Sequence, residues 1–70
     1  MIRQTVKSSD ILSIGYDSKS QILEIEFHSG GVYQYHTVPK NEHQALMNAS
    51  SHGKYFDQNI KKTYQYSKIS

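Results

Sequence analysis

The stretch Leu23-Glu24-Ile25-Glu26-Phe27-His28-Ser29-Gly30-Gly31-Val32-Tyr33-Gln34-Tyr35 decides the fold. Apolar and polar residues alternate on both sides of a glycine pair, the period-two pattern of two half-buried strands joined by a tight turn. A three-residue turn, Ser29–Gly31, with a glycine in the left-handed conformation, sets Phe27 opposite Tyr33 and Ile25 opposite Tyr35. A two-residue turn would place the tyrosines among the glutamates, so the longer turn is preferred. Upstream, Leu12, Ile14 and Tyr16 alternate with Ser13 and Gly15, and Ser9–Tyr16 reads as the first strand of the set. With Asp17–Ser20 as a four-residue turn, Ile14 opposes Leu23 and Leu12 opposes Ile25. One face then carries Leu12, Ile14, Leu23, Ile25, Phe27, Tyr33 and Tyr35. The other carries Glu24, Glu26, His28, Gln34 and His36, with Val32 the apolar exception. Because a one-residue slip moves every side chain to the wrong face, this segregation fixes the reading. It is a meander with one buried face, and that face needs helices to cover it.

The helices follow in the second half. Pro39 suits a first helical turn, where its missing N–H costs nothing, and Ala45, Leu46 and Ala49 recur at helical spacing behind it. Asn48-Ala49-Ser50-Ser51 breaks this helix. Ser51 or Gly53 opens a second, with Tyr55, Phe56, Asn59 and Ile60 on one stripe. The tail from Tyr64 to Ser70 alternates weakly and reads as a short extra strand or a docked extended segment. The expected fold is α+β: a three-stranded antiparallel β-meander followed by two short helices packed on one sheet face.

Composition narrows the role. Seventy residues make one domain, 1–70, and a core this small rarely supplies more than roughly 3–5 kcal/mol net. There is no cysteine, which removes disulfides and thiolate metal sites. The first residues lack the apolar run of a signal peptide and no stretch is long and apolar enough to span a membrane, so a cytoplasmic location is expected. Net charge is +2. From Met1 to Val38 three basic residues stand against four acidic ones, a balance of −1; from Pro39 to Ser70 five stand against two, a balance of +3. That excess is compatible with phosphate contacts but is far short of a polybasic arm.

Catalytic and metal chemistry find little support. His28 and His36, both on the polar face, lie about 13 Å apart at ordinary strand rise, too far to grip one ion, and His36 faces Glu24. Glu24 and Glu26 sit two apart on an open sheet face, without the cleft that general acid–base catalysis requires. No nucleophile elbow, phosphate loop or dinucleotide fingerprint occurs. No cofactor, metal or small-molecule substrate is expected, and the chain does not read as an enzyme.

What remains is a binding surface. Lys54, Lys61, Lys62 and Lys68 are interleaved with Tyr55, Tyr64 and Tyr66 late in the chain, and basic residues among aromatic ones fit nucleic-acid contact. Tyr33 and Tyr35 read as packing residues turned toward the helices, whereas Tyr64 and Tyr66 are the better candidates for exposed contact. Ser51 and Gly53 mark a helix start whose free N–H groups offer a phosphate site. Ala49, Ser51 and Gly53 also suit close approach between elements.

The order and spacing of several short motifs resemble the KTSC domain family. They are Ile14-Gly15-Tyr16-Asp17, Leu23-x-Ile25-x-Phe27-x-x-Gly30, Tyr33-x-Tyr35-x-x-Val38-Pro39, Ala49-x-Ser51-x-Gly53-x-Tyr55-Phe56, Ile60 and Tyr64-x-Tyr66. The resemblance runs from about Ser9 to Ile69. Domains of this family occur alone in bacterial and phage proteins or at the C-terminus of some lysyl-tRNA synthetases. The resemblance therefore implies a small non-catalytic module with RNA, tRNA-like or single-stranded, as its expected partner, and it carries over no catalytic residue. The alternative is a protein-interaction module, a homodimer included, docking through an unpaired third strand or the polar sheet face.

Overall fold

The computed structural model describes residues 1–70. In chain order it comprises β1 (Arg3–Thr5), β2 (Ile11–Asp17), β3 (Ile22–Phe27), β4 (Val32–Tyr35), α1 (Lys40–Asn48), α2 (His52–Asn59) and β5 (Tyr66–Lys68). The strands form one antiparallel sheet in the order β1-β2-β3-β4-β5. The fold is α+β with five strands, and this corrects the three-stranded meander. The meander is its centre, β2–β4; a further strand is added at each edge.

Both turns keep their expected lengths but sit elsewhere. Ile14 pairs with Ile25, and Asp17 with Ile22, so the first turn is 18–21. The Asp17 carboxylate caps it, accepting from the Lys19 N–H at 3.1 Å and the Ser20 hydroxyl at 2.8 Å, and Gln21 adopts a positive φ of 57°. In the second turn Ile25 pairs with Tyr33 and Leu23 with Tyr35; the turn is 28–30, and Gly30 and Gly31 have φ of 97° and 96°. Each register differs from the expected one by two residues. An even shift preserves the faces, which is why the buried set is nonetheless Ile14, Leu23, Ile25 and Tyr35. Leu12 is an exception. A bulge lies between Ile11 and Ser13, so Ile11 is the fully buried residue and Leu12 is only half-buried.

The polar face is not open. Arg3, Gly15, Glu24 and Gln34 lie in one row across four strands. Gly15 has no side chain, and a Cβ there would come within 3.0 Å of Arg3 Cγ, so the arginine passes over it to reach the glutamates. Its guanidinium is 2.5 Å from Glu24 and 3.5 Å from Glu26, and Gln34 donates to Glu24 at 2.8 Å. The Gln34 bond, helped by Arg3 and opposed by burial, holds the Glu24 carboxyl below its usual range. His36 does not face Glu24; it lies beyond β4, with Nε2 3.2 Å from Ser67 Oγ. The third strand of the meander is likewise not a free edge, because β5 pairs along it.

The helices cover the opposite face. Pro39 precedes α1 and Ser51 caps α2, its hydroxyl accepting from the Lys54 N–H, a bond worth about 1 kcal/mol. Leu46 of α1, Phe56 of α2 and the following Ile60 close a core with Ile11, Ile14, Leu23, Ile25, Tyr35 and Val38. Each fully buried aliphatic side chain contributes about 1.5–3 kcal/mol.

Candidate nucleic-acid interface

The six tyrosines divide into two groups by what their hydroxyls do. Tyr16 donates to the Val38 carbonyl at 2.5 Å and stacks on His43 with ring centroids 4.6 Å apart. Tyr55 and Tyr64 both donate to the Glu42 carboxylate, Tyr64 at 2.9 Å. Tyr16 ties β2 to α1 and the residue before Pro39, and the other two tie the first turn of α1 to α2 and to the segment before β5. The Tyr55 phenol is pushed up to about 12 by its bond to Glu42, with burial adding to it. Burial also lowers the His43 imidazole.

Tyr33, Tyr35 and Tyr66 donate to nothing in the chain; their hydroxyls take part in none of its side-chain hydrogen bonds. Register explains why they meet. Tyr33 and Tyr35 stand two apart on β4, and β5 sets Tyr66 opposite Tyr35 and Lys68 opposite Tyr33. The ring of Tyr66 lies 5.8 Å from that of Tyr33 and 5.6 Å from that of Tyr35. Phe27 and Phe56 extend the array, each in edge contact with it. Together they floor a groove of about 610 Å³ between the sheet and α2, whose rim includes Lys61, Lys62, Asp10, Asp57 and His28. Its size is in the ~300–1,000 Å³ range of small-ligand sites. Tyr35 is 4% exposed; burial, then the neighbouring Tyr66, Tyr33 and Asp57, push its phenol up to about 12.

The residues singled out from the sequence are thus separated. Lys61, Lys62, Tyr66 and Gly53 line the groove. Lys68 stands on the strand beside it, and Lys54 is exposed on α2 outside the lining. Tyr64 is drawn into the Glu42 clamp. At the start of α2 the Ser51 hydroxyl already takes the Lys54 N–H, and Asp10 Oδ2 lies 2.8 Å from where a Cβ on Gly53 would be. A carboxylate therefore already faces the positive end of the helix. Phe27, Tyr33, Tyr35 and Phe56 were legible only as core; their second role needed Tyr66 to return beside them. No group of three or more His, Asp or Glu residues is placed to hold a metal ion, and no helix is long and apolar enough to cross a membrane.

Residues 7–68 match the KTSC domain. The chain is 46% identical to a protein of Stutzerimonas stutzeri over 70 residues, 99% of each. It is 39% identical over 64 residues to a lysine–tRNA ligase of Nostoc punctiforme, a match that takes in 91% of this chain and 11% of the ligase. The crystal structure of a KTSC domain protein from Yersinia pestis aligns with a TM-score of 0.96 at 49% identity, over 99% of this chain and 97% of that one. The chain belongs to the KTSC domain family, small domains found alone or within lysyl-tRNA synthetases.

Proposed function

We propose that this domain binds single-stranded RNA or an unpaired region of tRNA along the groove between β5 and α2. One observation carries the reading: the three tyrosines whose hydroxyls are unused within the chain converge on a single groove with Lys61 and Lys62 at its rim. Lysines contact phosphates as point charges, and aromatic faces stack unpaired bases with little regard to sequence. Lys61 and Lys62 hold the backbone, Lys68 adds positive charge on the β5 side, and Tyr66, at 58% exposure, offers the accessible ring. Neither lysine at the rim is engaged in an ion pair; the ion pairs of the chain all involve Arg3. The similarity to part of a lysine–tRNA ligase supports an RNA partner. The helix start at Ser51 and Gly53 is left out of this surface, because Ser51 and Asp10 already occupy it.

Fluorescence anisotropy with a tRNA mixture and with short single-stranded RNA, at 50 and 200 mM salt, tests this. Two phosphate contacts on a single strand predict that affinity falls about sevenfold over that fourfold rise in salt. The Lys61→Glu/Lys62→Glu variant is expected to melt like the parent and to lose both the binding and its salt slope. Undiminished binding by that variant would move the surface elsewhere.

A further inference from the structure

The N-terminal strand is attached unlike any other element of the fold. β1 has three residues, all exposed, and Met1 and Ile2 before it are 55% and 94% exposed. None of residues 1–5 belongs to the hydrophobic core or packs against it. The strand also precedes residues 7–68, the part that matches the KTSC domain. Backbone pairing with Ser13, Ile14 and Gly15 holds it, together with Arg3, which makes its only side-chain hydrogen bonds. Elements held by so few buried contacts open locally while the rest of a protein stays folded.

The seat beneath Arg3 is more completely built than the strand that fills it. Glu24 is 6% exposed and Ser13 5%. Arg3 donates to Ser13 Oγ at 3.1 Å, and Ser13 donates onward to Glu26 at 3.1 Å. One hydroxyl and two carboxylates thus converge on a single guanidinium. Gly15 leaves the way in: the three atoms nearest to a Cβ there, 3.0 to 3.1 Å away, all belong to residues 1–3. When β1 lifts, Glu24 keeps Gln34 but loses its cation, and a recessed carboxylate without a cation is costly. The seven residues of β2 then present unpaired N–H and C=O groups, a template for an added strand. We infer that the outer edge of β2 is a strand-addition site for an extended segment of another protein carrying one arginine, with residues 1–6 as its resident occupant. The incoming arginine passes over Gly15 and takes the place of Arg3 against Glu24, Glu26 and Ser13. Its planar fork suits two carboxylates better than a lysine ammonium does. The site is at the edge of the sheet opposite β5 and does not depend on the RNA reading.

The probe is the heptapeptide of residues 1–7, added at millimolar concentration to the isotope-labelled full chain and followed by NMR. Arg3→Ser/Gln4→Pro takes the chain's own strand out of the seat, since proline cannot donate to the ladder. In that variant the peptide is expected to shift the amides of Ile11–Asp17 and Glu24 saturably. A peptide with glutamine in place of the arginine should bind at least about tenfold more weakly, the scale of hydrogen bonds to a charged group. The wild-type chain, its seat filled, should bind the peptide more weakly than the variant does. Gly15→Val added to the variant should abolish binding. In the wild-type chain, amides that pair β1 with β2 should exchange with deuterium at least about tenfold faster than those that pair β2 with β3. Equal binding of the two peptides, or no binding to the folded variant, would overturn the proposal. A variant that ignores the peptide and dimerises would overturn it too, and would assign the edge to a second copy. A variant that fails to fold, or wild-type β1 amides that exchange no faster than those of β2 and β3, would make β1 part of the scaffold and likewise overturn it.

Discussion

The clamp around Glu42 and the groove beside β5 are built from the same residue type and use it in opposite ways. In the clamp, Tyr55 and Tyr64 spend their hydroxyls on one carboxylate and so join two helices to the segment leading into β5. In the groove, Tyr33, Tyr35 and Tyr66 pack by their rings and leave their hydroxyls without a partner in the chain. Tyrosine is suited to both tasks because an apolar body carries a polar tip. What the last atom of a tyrosine touches therefore separates the rings that tie elements together through hydrogen bonds from those that leave a hydroxyl free.

The sharpest way to break that comparison is Glu42→Ala. It removes the acceptor of two hydrogen bonds, and bonds to charged groups are worth about 1.5–3 kcal/mol each when shielded from water. Since Glu42 is only half-buried, a total loss of about 2–3 kcal/mol is expected in urea unfolding, with RNA affinity of the folded domain unchanged. A smaller contrast comes from deleting single hydroxyls. Tyr55→Phe should cost about 1–2 kcal/mol, whereas Tyr35→Phe should change stability by less than about 0.5 kcal/mol, although Tyr35 is much the more buried of the two. Equal costs for the two substitutions would erase the distinction between the regions.

The smallest effect appears only in alkali. Tyr55 and Tyr35 both titrate near 12 in the folded chain, against 10.0 ordinarily, Tyr55 mainly because of Glu42 and Tyr35 mainly because of burial. A phenol whose pKa is raised by folding binds its proton more tightly in the native state. Its contribution is therefore complete below about pH 10 and is lost as pH rises from about 10 to about 12. Unfolding measured across that window should show stability level up to about pH 10 and declining above it. Tyr55→Phe should remove part of the decline, and so should Tyr35→Phe.

Much of this architecture was written in local pattern. The alternation through β2, β3 and β4 and the helix signals at Pro39 and Ser51 are short-range features, and the structure keeps them. The first edge strand was hidden, and the last was left open between a strand and a docked tail, for one physical reason. Arg3-Gln4-Thr5 and Tyr66-Ser67-Lys68 are exposed throughout, so burial imposes no alternation on them and backbone pairing alone makes them strands. The registers were displaced because a positive φ at Gln21 lets the first turn sit one residue later, and a positive φ at Gly30 and Gly31 lets the second sit one residue earlier, than composition indicates. Among the site residues, Lys61, Lys62 and Tyr66 stood out by type. The partition of the tyrosines did not, because it depends on which residues, distant in sequence, approach each hydroxyl.

The order of strands in the sheet follows the order of the chain, and this has a consequence for how the molecule assembles. The pairs β1–β2, β2–β3 and β3–β4 are all hairpins, and hairpins close within about 1–10 μs. β5 returns to β4 only after residues 36–65, the two helices among them, have been laid down. Closing so long a segment costs more loop entropy than closing a hairpin, and that cost is met before the distant contact forms. Tyr66 arrives with that last strand. Tyr66 is thus the one ring of the groove carried by the strand that returns from farthest along the chain, and release of β5 would take that ring away while β1–β4 stayed paired.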